Sequence, residues 1–516
     1  MTVTALDRSS HFSFKNVFRA HGVGLRGLDV PRFSEQFEGR FGRMFRTLPP
    51  AEHDEEDLSE LAAKMIAPDE GKAPDDKPDA EENAGISAGY TYFGQFIDHD
   101  ITFDPASSLQ KTNDPDALVD FRTPRFDLDC VYGRGPDDQP YLYRDDGLHL
   151  VLGRALTGDA GGLTNTRDLP RNHPEGGDPD RALIGDPRND ENTIVSQLQS
   201  TFLQFHNKIA DLETARLGHP PTFAHVQRLV RWHYQYAILN DFLPTICGEK
   251  TLFDVLPHLE SGESILEHKP NLQFFRWKNA PFMPVEFSVA AYRFGHSMVR
   301  PFYRLNSTVQ FPIFTAGPGE SFRGFRAFPA NWGIDWNLFF GKVDPGKSGP
   351  KRVQPAYKID TSLVNPLGTL PLNVAKDIRS LAERNLLRGL RMRLPSGQTV
   401  ARKMGFTPLS EDELRVGKAT EEDSGDNPRL VDVSPDFADN APLWYYVLAE
   451  AQQQFKKDTT PIHLGQVGGR IVAEVLAGLM LGDNHSFLAQ NPEWKPFTDF
   501  GGKNFRIIDL LKAALK

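Results

Sequence analysis

The sequence predicts a mainly α-helical fold, one large helical domain with long loops and little β structure, on three observations. Six segments carry apolar residues at helical spacing, 192–214, 223–242, 285–299, 374–391, 443–455 and 465–480. Period-two alternation, the mark of half-buried strands, is sparse. The helical segments are separated by polar stretches rich in Gly, Pro, Asn and Asp at 157–181, 343–358 and 421–440, which read as loops between packed elements.

Bulk properties narrow the functional classes. A chain of 516 residues, 39% of them hydrophobic, can bury a large core. Its 58 Lys and Arg stand against 69 Asp and Glu, a net charge of −11 that disfavours nucleic acid and anionic membrane surfaces as partners. Cys130 and Cys247 are the only cysteines, so neither a disulfide framework nor a cysteine-built zinc site is encoded. No run reaches the roughly 18–20 apolar residues of a membrane span, and the start "MTVTALDRSSHFSF" lacks a signal-peptide apolar stretch. The expectation is a soluble protein, cytoplasmic or exported without a leader. Residues 67–84 are acidic, contain proline and almost lack large apolar side chains, as a solvated linker or surface loop does. Residues 1–85 are therefore read as an N-terminal segment and 86–516 as the main domain.

Chemistry concentrates first in "GQFIDHDITFD", residues 94–104. On a helix Gln95 and His99 share a face, while Asp98 and Asp100 point about 100° to either side of His99. One metal chelated by the triplet on a single helix is hard to arrange, so the three residues serve three directions. The plain alternative is a buried histidine between two solvated aspartates. In "TPRFDLDCVYG", Thr123, Arg125, Asp127 and Asp129 occupy alternate positions and would offer oxygens on one side of an extended loop. Arg188 and Glu191, at i and i+3 ahead of a long helical segment, can share a face.

The longer string "YFGQFIDHDITFD" resembles the distal-helix motif of the animal-type haem peroxidases, the peroxidase-cyclooxygenase superfamily. The resemblance implies that Gln95 lines the distal pocket, His99 sits over a haem iron, Asp98 is a candidate for an ester to the haem, and Asp100 binds calcium. It continues through "VYG", making Thr123, Asp127 and Asp129 side-chain calcium ligands and Arg125 a carbonyl ligand. "GDPRNDEN" then supplies Arg188 as catalytic arginine and Glu191 as second ester candidate. Asn192 rules out a third link of one mammalian branch, which needs methionine there. "VAAYRFGHSMVRPFYRL" resembles the proximal-helix pattern, with His296 as axial iron ligand and Arg293 near a haem propionate. In "DIRSLAERNLLRGLRMRLPSGQ" the resemblance makes Asn385 the hydrogen-bond partner of His296, offering a neutral carbonyl, and Arg388 a propionate contact. Departure from Arg-Asp-His-Gly after Arg388 looks like bacterial members.

The implied activity is a haem-dependent peroxidase that reduces hydrogen peroxide through a ferryl intermediate and oxidises a small donor such as a halide or a phenol. The implied cofactors are haem b, with ester links open, and calcium. Three rivals stay open. A fatty-acid dioxygenase of the same superfamily uses a tyrosine three residues before the proximal histidine, where this chain has Arg293, with Tyr292 one place off. A peroxidase-like adhesion module would need none of His99, Arg188 and His296. A non-haem hydrolase built on "DHD" would leave the remaining motifs without a role.

Overall fold

The computed structural model describes residues 39–516 except 69–76, 105–108, 111, 116–117, 159–164, 174–175, 177–179, 279–280, 316–318, 373 and 456–460. Residues 1–38, and with them the expectation about a leader, lie outside the described residues. The described chain is mostly helical, as expected, with three small sheets. One continuous apolar core runs from Phe41 to Leu515. Among the described residues no helix is long and apolar enough to cross a membrane.

The elements that position the site are α1 (Glu55–Met65), α2 (Gly89–Ile101), α3 (Asp129–Tyr132), α4 (Thr193–Leu217), α5 (Phe223–Ala237), α6 (Leu243–Cys247), α7 (Leu381–Arg391), α8 (Leu443–Gln452), α9 (Gln466–Gly482) and α10 (Ile507–Leu515). Helix α1, N-terminal to residue 85, packs against α7 and contributes Leu58, Leu61 and Met65 to the common core. Helix α4 starts where Asn192 accepts from the amides of Ile194 and Val195 through its side chain, and ends at Gly218 in the left-handed region. Nearly all of its first eighteen residues are buried, including Gln197, Gln199 and Gln204, so it runs through the interior. Helix α2 lies on it through the Phe96 and Phe202 rings, stacked at 4.4 Å, and Phe93 and Phe96 also meet Tyr234 of α5 edge-on.

Three expected helices differ from expectation for local reasons. The 223–242 segment leaves regular α geometry in a wide π turn, Ile238–Phe242, before α6. Pro244 follows, and its missing N–H removes the bond that would continue the α ladder. The 374–391 segment is helical only from Leu381, because Ser380 is extended and caps the Glu383 amide. The 285–299 segment is a π turn, Glu286–Ala290, followed by a tight 3-10 stretch, Ala291–His296. There the Arg293 Nε donates to the Ser288 carbonyl at 3.0 Å, taking an acceptor that an α-helix would give to a backbone amide.

Two stretches expected as loops pair with each other. β1 (Gly39–Gly42), β3 (Val119–Asp120) and β4 (Met283–Pro284) form one sheet, and β5 (Phe302–Arg304) and β6 (Gln310–Pro312) form a hairpin. β2 (Glu82–Ser87), which opens inside the acidic 67–84 run, pairs antiparallel with β7 (Pro355–Tyr357) inside the 343–358 run. Buried Glu82 is held by Arg300 at 2.9 Å and by Arg352, which lets an acidic residue enter the interior. The linker character expected for 67–84 therefore ends before Glu82.

The Phe96–Phe202 stack is a buried apolar contact between α2 and α4. Phe96→Ala is expected to cost about 3–5 kcal/mol of unfolding free energy, measured by urea denaturation; a loss below about 1 kcal/mol would show that other contacts hold α2.

Candidate active site

One cavity of about 380 Å³ is lined by Gln95, Asp98 and His99 of α2, by Arg188, Glu191 and Asn192 ahead of α4, and by Arg293 and His296. The sequence-predicted distal and proximal groups therefore meet at one place, though more than 190 residues separate His99 from His296. Ile313, Phe314, Leu367 and Leu370 give the cavity an apolar wall.

The segment 185–192 is pinned from several sides. A Cβ on Gly185 would lie 2.1 Å from the Asp129 carbonyl oxygen, so only glycine lets this segment run against α3. Asp190 is buried in a two-bond pair with Arg171, at 2.7 and 2.8 Å, and the Gly324 and Phe325 amides donate to the Glu191 and Asp190 carbonyls. Buried Asp186 receives Arg188, with Nη2 at 2.7 Å, and Arg122, with Nη2 at 2.6 Å. Burial works against the Asp186 anion, but the two guanidiniums overcome it and hold the carboxyl well below the usual range. Arg188 Nη2 also donates to the carbonyls of His99 (3.0 Å) and Thr102 (2.6 Å), and the guanidinium lies over the Phe103 ring. Among the described residues, none accepts from Arg188 Nη1.

His99 is buried, and its Nδ1 donates to Asn189 Oδ1 at 2.7 Å. Burial, followed by the positive charge of Arg188, lowers its pKa to about 3, so the ring is neutral over the physiological range. Gln95 Oε1 accepts from Asn192 Nδ2 at 3.2 Å, which turns the Gln95 amino group away from Asn192. Asp98 accepts from the Thr102 hydroxyl at 3.1 Å, and burial raises its pKa. Burial likewise raises Glu191 to about 7.

On the other side of Asn385 the expected polarity is reversed. Asn385 Oδ1 accepts from Arg293 Nη1 at 2.7 Å, and Nδ2 faces His296 Nδ1 at 2.8 Å. Because the guanidinium can only donate, it fixes the amide, and Asn385 presents its NH₂ rather than its carbonyl to His296. Burial, then Arg293, lowers the His296 pKa to about 3. Arg388, expected beside a propionate, instead pairs with Asp104 at 3.4 Å and does not line the cavity. Arg384, one turn earlier on the same helix face, does line it; the i−4 spacing from Arg388 was the available signal.

Asp100, Asp127 and Asp129 place carboxylate oxygens within 4.8 Å of one another. The regular alternation expected for 123–129 is broken at Leu128, which takes a left-handed φ of 56°, and Asp129 opens α3. That kink, rather than an extended loop, brings the carboxyls together. Thr123 donates to Asp127 Oδ2 at 2.7 Å, and the Arg125 amide donates to the Thr123 carbonyl at 2.8 Å. Among the described residues, buried Asp100 Oδ2 has no hydrogen-bond partner, and Asp129 Oδ1 has only Arg122 Nε at 3.5 Å. Burial, then Asp127, raises Asp100 to about 8. A carboxylate cluster buried at Asp100 and half-buried at Asp127 and Asp129, with Asp100 Oδ2 unpartnered among the described residues, has the chemistry of a donor set for a hard divalent cation.

Residues 110–318, which include Arg188, Glu191 and His296, match the family model of the animal haem peroxidases. Peroxidasin from Drosophila melanogaster is 27% identical over 239 residues, 45% of this chain and 14% of that protein, so the chain spans about a seventh of that relative's length. Among solved structures, peroxidase A from Dictyostelium discoideum has a similar fold, with a TM-score of 0.59 at 16% identity over 91% of this chain and 89% of that one. A fatty acid alpha-dioxygenase from Arabidopsis thaliana has a TM-score of 0.51 at 14% identity, covering 90% and 74%. The two structural likenesses bear on the fold alone.

Glu191 provides a pH test of the cavity. Its folded pKa is raised above the ordinary value of 4.5, so the folded state binds the proton more tightly and stability is lost as pH rises from about 4.5 through about 7. Glu191→Gln is expected to stabilise the haem-free protein by about 1–3 kcal/mol at pH 8 and to change little at pH 4.5, by urea denaturation at both pH values. Equal effects at the two pH values would show that the carboxyl is not desolvated.

Proposed function

We propose that the protein is a haem-dependent peroxidase that reduces hydrogen peroxide and oxidises a small donor such as a halide or a phenol. The observation that carries this reading is one cavity lined by both His99 and His296, with the His99 Nδ1 already committed to Asn189. The residues fit haem: an apolar wall, Arg293 and Arg384 for carboxylate groups, and two histidines whose lowered pKa values keep both rings neutral. Bound haem supplies the redox centre, giving electrons to the peroxide and recovering them from the donor.

The chain's own residues handle the protons. His99 Nε2 takes the proton from the inner oxygen of hydrogen peroxide and returns it to the outer oxygen, which leaves as water. Arg188 stabilises negative charge on the departing oxygen and, being permanently cationic, does not act as base. His296, on the cavity wall, would hold the haem iron. Ligation through Nε2 requires a proton on Nδ1, so the Asn385 amide must turn its carbonyl toward the ring, and Arg293 must exchange Asn385 for another acceptor. A carboxylate is the stronger acceptor for a guanidinium. Asp98 and Glu191, both on the cavity wall, are the ester candidates.

Calcium is the proposed occupant of Asp100, Asp127 and Asp129, with the Thr123 hydroxyl and the Arg125 carbonyl. Because Asp100 follows His99 directly, the cation would fix α2 in orientation. Chelation, or Asp127→Ala, is expected to lower the Soret absorbance and the peroxide rate together; a calcium-free Asp127→Ala protein with both unchanged would remove calcium from the reading.

Tyr292 on the cavity wall favours the dioxygenase as second reading. Its hydroxyl is held by the Gly94 carbonyl at 3.3 Å. Haem-loaded protein mixed with one equivalent of hydrogen peroxide is expected to change its Soret spectrum rapidly, about 10²–10⁴-fold more slowly in His99→Ala, with His296→Ala poor in haem. Haem binding without peroxide reactivity, but with oxygen uptake on an unsaturated fatty acid, would replace the peroxidase by the dioxygenase. Failure to bind haem would leave an interaction module.

A further inference from the structure

A chain of buried amides leads away from His99. His99 Nδ1 meets Asn189 Oδ1 at 2.7 Å, Asn189 Nδ2 meets Gln199 Oε1 at 2.9 Å, and Gln199 Nε2 meets the Cys130 carbonyl at 3.0 Å. Both amide side chains are fully buried, so no water competes for them. The last acceptor determines the direction of every bond before it. A backbone carbonyl can only accept, so Gln199 must present its NH₂ to Cys130 and its oxygen to Asn189. Asn189 must then donate to Gln199 and offer its own oxygen to His99. Turning over either amide would set two oxygens or two NH₂ groups against each other in the interior, and unpaired buried polar groups are costly.

We propose that Asn189, oriented through Gln199 by the Cys130 carbonyl, is a positioning residue that fixes the His99 ring in the Nδ1–H tautomer and so directs the Nε2 lone pair into the cavity. Free imidazole side chains in water favour the opposite tautomer, with the proton on Nε2. In that form His99 would show the cavity a donor and could not take a proton from a peroxide there. The relay therefore decides whether the ring can act as a base at all, independently of its affinity for protons.

Two features strengthen the relay. The Cys130 carbonyl also accepts from the Asp186 amide at 3.2 Å, so the group at the end of the relay is held from a second side. Asn189 follows Arg188 in sequence, so the residue that orients the base and the cation beside it move as one rigid piece. The motif reading singled out Arg188 and Glu191 but passed over the asparagine between them.

This proposal deepens the peroxidase reading, and its test separates the two. The full-length protein, labelled with ¹⁵N-histidine and loaded with zinc protoporphyrin as a diamagnetic stand-in, is examined by ring-nitrogen NMR, with His99→Gln used to assign the signals. The parent is expected to show His99 protonated at Nδ1 with a lone pair at Nε2. Asn189→Leu, similar in volume but without an acceptor, is expected to raise the share of the Nε2–H form about tenfold, the effect of one ordinary hydrogen bond. Asn189→Asp keeps an acceptor toward His99 while giving up the donor to Gln199, and is expected to restore the Nδ1–H form, which a merely space-filling role would not distinguish from leucine. The iron-haem forms should follow the same order in their rate with hydrogen peroxide, Asn189→Leu slowest. An Nε2–H ring in the parent, or an unchanged tautomer in Asn189→Leu, would overturn the proposal; the parent spectrum alone suffices if the variants do not fold. Ring spectra as expected with no peroxide reactivity in any form would support the positioning role while rejecting the peroxidase reading.

Discussion

The site depends on the need to satisfy three consecutive polar side chains of one helix in three directions. Asp98, His99 and Asp100 leave α2 at about 100° intervals, so no neighbour can serve two of them. Asp98 faces the cavity and Thr102, His99 reaches Asn189, and Asp100 turns to the carboxylates of Asp127 and Asp129. Each direction recruits a separate part of the chain, and the apolar contacts of Phe93 and Phe96 keep α2 from rotating to relieve any of them.

The two cavity histidines are held by asparagines, yet with opposite polarity. Asn189 offers oxygen to His99 because Gln199 claims its NH₂; Asn385 offers NH₂ to His296 because Arg293 claims its oxygen. The same residue type is thus an acceptor in one place and a donor in the other, and the second neighbour decides which. One end of the first chain is a backbone carbonyl, which cannot exchange partners. The second ends in a guanidinium on the cavity wall, which can. The distal arrangement is therefore rigid, whereas the proximal one is open to rearrangement when an anion meets Arg293.

That difference also explains what was legible in the sequence. The helical class, the long buried helix behind Asn192 and the convergence of His99, Arg188, Glu191 and His296 follow from periodicity and motif. Amide orientation does not, because Asn385 reads the same whichever way it points. Nor could the pairing of Arg388 with Asp104, which leaves Arg384 on the cavity wall, be read, since both arginines lie on one helix face and Asp104 lies far away in sequence. Around Ala290, where the π and 3-10 turns meet, one arginine takes one backbone carbonyl, a contact that periodicity does not reveal. The pairing of β2 with β7 depended on Arg300 and Arg352 neutralising Glu82 from over 200 residues away, whereas composition alone marked that run as solvated.

Arg188 shows how far structural and chemical roles are fused here. Its Nη2 donates to the His99 carbonyl at the C-terminal end of α2, where backbone acceptors lack helical partners and a cation is favoured by the helix dipole. Its charge balances Asp186 and also helps to keep His99 neutral. Removing it would uncap α2, leave Asp186 with Arg122 as its remaining guanidinium partner, and relieve the repulsion that depresses His99. A rate loss in Arg188→Ala therefore cannot be assigned to stabilisation of the departing oxygen alone. Arg188→Lys is more informative, because it keeps the charge beside His99 while losing the fork that reaches Asp186 and two carbonyls at once. If charge near the ring is the decisive quantity, lysine suffices; if the rigid connection from Asp186 through Arg188 to α2 is, lysine fails almost as badly as alanine.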